Sequence, residues 1–86
     1  MKKLIEENYQ SIVNRGLISP HTSMDAFIMK IEEEVQEFIE ATQLGTLKEI
    51  KEELADIVLT CLNTAKHFGF DIELELNKKI EINKNR

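Results

Sequence analysis

The chain has 86 residues, enough for one small domain and too few for a Rossmann unit with a substrate domain, a barrel or a kinase core. Apolar residues make up 42% and charged residues 31%, which excludes a disordered tail, and no apolar run approaches the roughly 18 residues of a membrane span. With 16 acids against 11 bases the net charge is -5, which argues against a grip on nucleic acid polymers, since that grip needs Lys and Arg to displace counterions.

Cys61 is the only cysteine, so an internal disulfide is impossible. The start, Met1-Lys2-Lys3 and then mixed polar and apolar residues, has no signal-peptide core, and the expected location is the cytoplasm. A chain this short buries only about 60–65% of its unfolded surface. Its stability therefore calls for close helix packing, a partner chain or a bound metal.

With 3 Gly and 1 Pro the chain lacks the turn residues of a strand-rich fold, and helix formers dominate. The first predicted helix runs from Lys3 to Arg15, with Leu4, Ile5, Tyr9, Ile12 and Val13 at helical spacing and Gly16 as a left-handed stop. Leu17 to His21 reads as a loop. The second helix starts near Thr22, read as the N-cap with Asp25 at the positive end of the dipole, and runs to Gln43 before Gly45. Its least polar stripe is Ile28, Ile31, Val35, Phe38, Ile39 and Thr42.

The third helix opens on Thr46 and Glu49, which fit a capping box, and closes at Gly69. From Leu54 to Leu62, seven of nine residues are apolar, which predicts a helix covered on most sides, with Cys61 in the core. His67 is expected at the helix end, facing the dipole. The last segment, Asp71 to Lys84, alternates like a strand at Ile72, Leu74, Leu76, Ile80 and Ile82. Ile72, Leu76 and Ile80 also fit a helical stripe. A lone strand would leave its backbone groups without a ladder partner, so the segment reads as a helix with Asp71 as N-cap.

The acids form a pattern on these helices. Glu34 and Glu37 are i, i+3 neighbours and can reach one point, with Glu34 at the edge of the apolar stripe. On the third helix Glu49, Glu53, Asp56, Thr60, Asn63 and His67 share a sector about 80° wide. Asp56 stands among Leu54, Ala55, Ile57 and Val58, where a lone buried carboxylate is costly unless it is paired or bound to a cation. If the two helices pack antiparallel, Glu34, Glu37, Glu53 and Asp56 can meet. Two carboxylates at ~5 Å and an effective dielectric near 20 repel by roughly 3 kcal/mol, so a cation is needed. All-oxygen ligands favour Mg²⁺, or Mn²⁺, over Zn²⁺. A solvated acidic face on a non-catalytic helical oligomer is the plain alternative.

Glu33-Glu34-Val35-Gln36-Glu37-Phe38 followed by Glu53-Leu54-Ala55-Asp56-Ile57-Val58 resembles the paired E-x-x-E and E-x-x-D motifs of the MazG-like nucleotide pyrophosphohydrolases, of the all-α NTP pyrophosphatase superfamily. The tail from Lys79 to Arg86 is similar to the K-x-x-x-N-x-x-R signature of that family's last helix, and Gly69-Phe70-Asp71 fits its final turn. The resemblance spans Thr22 to Arg86.

It implies a single all-α domain over residues 1–86, a four-helix protomer that is complete only as a homodimer or a homotetramer built of dimers. It implies Mg²⁺-dependent hydrolysis of a nucleoside triphosphate, NTP or dNTP, to the monophosphate and pyrophosphate. By position, Glu34, Glu37, Glu53 and Asp56 would be the metal-binding acids. Glu37 or Glu34 would position the attacking water or take its proton. Lys79, Asn83 and Arg86 would meet the phosphates or sugar from one face of the last helix. A related helical phosphohydrolase, such as a phosphoribosyl-ATP pyrophosphatase, would share the cage with another substrate.

Overall fold

The computed structural model describes residues 1–86, and all regular structure in it is helical. Helix α1 spans Lys2–Asn14, α2 Met24–Leu44, α3 Leu47–His67 and α4 Ile72–Lys84. The ambiguous last segment is thus a helix, capped as expected by Asp71, whose Oδ1 accepts from the Leu74 N–H at 3.1 Å.

Helices α2 and α3 form an antiparallel pair joined only by Gly45 and Thr46. Thr46 caps α3 by accepting the Glu49 N–H at 3.2 Å. Gly45 is required by space: a Cβ there would lie 2.8 Å from Glu49 Oε2 and 2.9 Å from the Ala41 carbonyl. At the far end of α3, Gly69 takes φ of 75° and lets the chain reverse into α4.

Capping of α2 differs from the sequence reading. Ser23, not Thr22, is the N-cap, and its Oγ accepts the Ala26 N–H at 3.3 Å. Thr22 lies one residue before the cap, and its hydroxyl instead accepts the Ser19 N–H at 2.9 Å, closing the loop.

Helix α1 crosses α3 through polar pairs. Asn8 Nδ2 donates to Asn63 Oδ1 at 2.9 Å, and Lys66 Nζ meets Glu6 at 3.5 Å. Phe27 sits 4.7 Å from the His67 ring and 5.6 Å from Phe68, joining the start of α2 to the end of α3.

The core is thin. Only 7 of 86 residues are buried, too few to hold a domain of this size firmly by themselves. On α2 the buried line is Phe27, Glu34 and Ala41. Ile31 and Phe38 are half-buried, while Ile28, Val35 and Ile39 of the expected stripe are exposed. On α3 the cover is one-sided, with Leu62 and Ala65 buried. Thr60 and Asn63, from the polar stripe, face inward, whereas Leu54 and Val58 are 50% and 51% exposed and Cys61 is on the surface. The sequence reading of a largely covered α3 fails within one chain because α1 and α2 pack on its polar side. Helix α4 touches α3 alone and presents Leu74, Leu76, Ile80 and Ile82 to solvent.

Candidate functional site

The short turn at Gly45 sets the register of α2 against α3 and brings acids from both helices together. Oxygens of Glu34, Glu37 and Glu53 all lie within 4.8 Å of one another. Glu34 is only 6% exposed, although the sequence placed it at the rim of its helix face.

Two buried carboxylate oxygens, Glu34 Oε2 and Glu53 Oε2, have no hydrogen-bond partner. A buried charged oxygen without a partner is costly. Glu37 carries the electrostatic consequence. Its carboxyl is held above the ordinary value of 4.5, first by the negative charge of Glu34, then by desolvation, then by the charge and hydrogen bond of Glu53.

These residues fit a hard divalent cation. The donor set is all carboxylate, its oxygens converge to within 4.8 Å of one another, and the two orphaned oxygens supply unused acceptors.

The structure places the other expected site residues differently. Asp56 is exposed and lies outside the three-acid group. It lines a cavity of about 450 Å³ together with Glu34. Lys79 and Asn83 are exposed on α4, which has no contact with α2, so one chain does not bring them to the acids. Arg86 lies beyond the end of α4 at Lys84, rather than on the helix.

Several residues near the acids escaped the sequence reading. Lys30 Nζ lies 3.0 Å from Glu34 Oε1 and 3.6 Å from Glu33 Oε1. Its ammonium pKa is raised, chiefly by the hydrogen bond to Glu34. The i, i+4 spacing of Lys30 and Glu34 was the available signal. Arg15 and Asn8 line the same cavity as Asp56 and Asn63, and no local pattern links these α1 residues to the polar sector of α3. His67 does more than face a dipole: Nδ1 and Nε2 both lie 2.9 Å from oxygen partners, the Tyr9 hydroxyl and the Thr22 carbonyl.

A four-helix chain with a carboxylate cage between two antiparallel helices defines a helical domain with a candidate cation site. Comparison with known families makes this specific: the description of the MazG nucleotide pyrophosphohydrolase domain matches residues 22–86. The chain belongs to that family, whose chemistry is hydrolysis of nucleotides. No curated protein and no solved structure matches it. Residues 1–21, which carry α1 and the loop after it, lie outside the match. No helix is long and apolar enough to cross a membrane.

Proposed function

We propose that the chain hydrolyses a nucleoside triphosphate, NTP or dNTP, at the α–β phosphoanhydride, giving a nucleoside monophosphate and pyrophosphate, with Mg²⁺ as cofactor and Mn²⁺ as a substitute. The observation that carries this reading is the pair of buried, unpartnered oxygens on Glu34 and Glu53 beside Glu37. A non-catalytic helical oligomer would account for the exposed apolar faces but gives no reason to bury two unpaired carboxylate oxygens.

Glu34, Glu37 and Glu53 would hold the ion, and Asp56 would join them across the mouth of the adjoining cavity. When bound, Mg²⁺ supplies charge neutralisation for the phosphates and acidifies water. In the reaction, the water oxygen forms a bond to the α-phosphorus while the bond from that phosphorus to the bridging oxygen breaks. Pyrophosphate leaves in line. Glu37, or Glu34 beside it, positions the water and takes its proton; the raised pKa of Glu37 suits that task.

The nucleoside would enter the cavity that Glu34 and Asp56 border. Its volume of about 450 Å³ lies within the ~300–1,000 Å³ range of small-molecule sites. Ile12, Ile18 and Leu59 give it aliphatic walls, and the Asn8–Asn63 amide pair offers polar edges. Phe27 is the only aromatic there, and it is already stacked on His67.

The active form would be a homodimer, or a homotetramer of dimers. The exposed apolar residues of α2, α3 and α4 support this, as does a thin core. A partner's α4 and the residues just after it would then supply Lys79, Asn83 and Arg86 to the phosphates, offsetting charge on the leaving group. Residues 1–86 would act as one domain, in the cytoplasm.

The test is pyrophosphate release from a panel of NTPs and dNTPs with Mg²⁺, run beside Asp56→Ala. Release from at least one nucleotide, lost in the variant, is expected. No release from any of them, together with no metal-linked rise in melting temperature, would overturn the reading.

A further inference from the structure

Lys30 places a positive charge against the acid cage from within its own helix. Its ammonium is 3.0 Å from Glu34 Oε1 and 3.6 Å from Glu33 Oε1. The two members of the closer pair differ sharply in environment: the Lys30 side chain is 52% exposed and that of Glu34 only 9%. An exposed i, i+4 pair contributes little. Here one partner is a buried carboxylate whose second oxygen, Oε2, has nothing to bind. Glu37 and Glu53 each bring an oxygen within 4.8 Å of one of Glu34, and Lys30 is the only cation ion-paired with any of these three mutually repelling acids.

We infer that Lys30 is a resident counter-cation of the cage, which holds Glu34 in place while no divalent ion is bound and sets the concentration at which one can enter. The inference rests on the metal reading above. Two physical effects follow from one charge. Without a divalent ion, the ammonium offsets part of the repulsion among Glu34, Glu37 and Glu53. Toward an arriving dication, the same ammonium is a like charge a few ångströms away and weakens binding. Because Lys30 occupies only Oε1, it leaves Oε2 available to the ion without leaving its own position.

The experiment compares the full chain with Lys30→Met, which keeps the stem and removes the charge, and Lys30→Arg, which keeps the charge. Chelator-stripped protein is titrated with Mg²⁺ alone by calorimetry, and melting is followed in chelator. Lys30→Met is expected to melt a few degrees lower in chelator and to bind Mg²⁺ roughly three- to tenfold more tightly. Lys30→Arg is expected to stay near wild type in both. Lys30→Gln serves as a second neutral variant should the Met form aggregate. Neutral variants that bind Mg²⁺ with wild-type affinity, or more weakly, overturn the role of Lys30 alone. A wild-type chain that binds no divalent ion overturns the metal reading itself.

Discussion

The Tyr9 hydroxyl lies 2.9 Å from His67 Nδ1, and this contact ties the first helix, outside the family match, to the end of α3 inside it. The Thr22 carbonyl at 2.9 Å from Nε2 can only accept, so Nε2 carries the proton and Nδ1 accepts from the tyrosine. One imidazole thereby joins α1, the loop before α2, and α3. Tyr9→Phe removes one hydrogen bond and is expected to cost about 1 kcal/mol. His67→Leu also leaves the Thr22 carbonyl without its donor and is expected to cost about 1–3 kcal/mol. Chemical denaturation measures both, and equal losses for the two variants would contradict this account.

The acid cage makes a prediction about metal and stability together. At a Mg²⁺ concentration 100 times its Kd, wild type is expected to gain about 2.7 kcal/mol. In a chain of this size that is a rise on the order of 10 °C or more. Glu53→Gln removes a ligand and is expected to lose most of this gain, while melting no lower than wild type in chelator because one repelling charge is gone. Thermal melts with Mg²⁺ and with chelator give the four numbers.

The pH dependence follows from Glu37. Its folded pKa lies above the ordinary value of 4.5, so the folded chain binds this proton more readily than the unfolded one. Its contribution is fully present below the unfolded value and is lost as pH rises through the raised folded value. In chelator, Glu37→Gln should therefore flatten the fall in stability across that window. With Mg²⁺ the sign reverses, because the ion must displace the proton. Mg²⁺ affinity is expected to weaken as pH falls through the same window, as calorimetry at stepped pH would measure.

Lys79 and Asn83 are expected to act across chains. Lys79→Ala should raise KM about tenfold, equivalent to ~1.4 kcal/mol, with little change in melting temperature, since the residue is exposed in its own protomer. Mixing Lys79→Ala with Glu53→Gln, each impaired alone, should restore part of the activity by forming one intact site per mixed dimer. Absence of any recovery after confirmed subunit exchange would place both residues in the same chain's site.

Gly45→Ala tests the turn that aligns the cage. The new methyl group would meet the Ala41 carbonyl at 2.9 Å, a backbone atom that cannot step aside cheaply. A loss of about 1–3 kcal/mol is expected, with weaker Mg²⁺ binding as α2 shifts against α3.

Local chemistry made much of this protein legible in its sequence. Helix formers, the caps at Thr46 and Asp71, and glycines at 16, 45 and 69 determined four helices and their ends within a residue or two. Paired acids at i, i+3 on two adjacent helices nominated Glu34, Glu37, Glu53 and Asp56, and the structure gathers the first three. The facing of α3 was decided only by tertiary structure. Its apolar residues are numerous on every side, so the pattern has no unique inward direction, and the packing of α1 and α2 turned Thr60 and Asn63 inward and Leu54 and Val58 outward. The same packing exposed Asp56 and brought Asn8 to Asn63 across 55 residues of chain. Such juxtapositions depend on helix rotation and register, which no local repeat specifies.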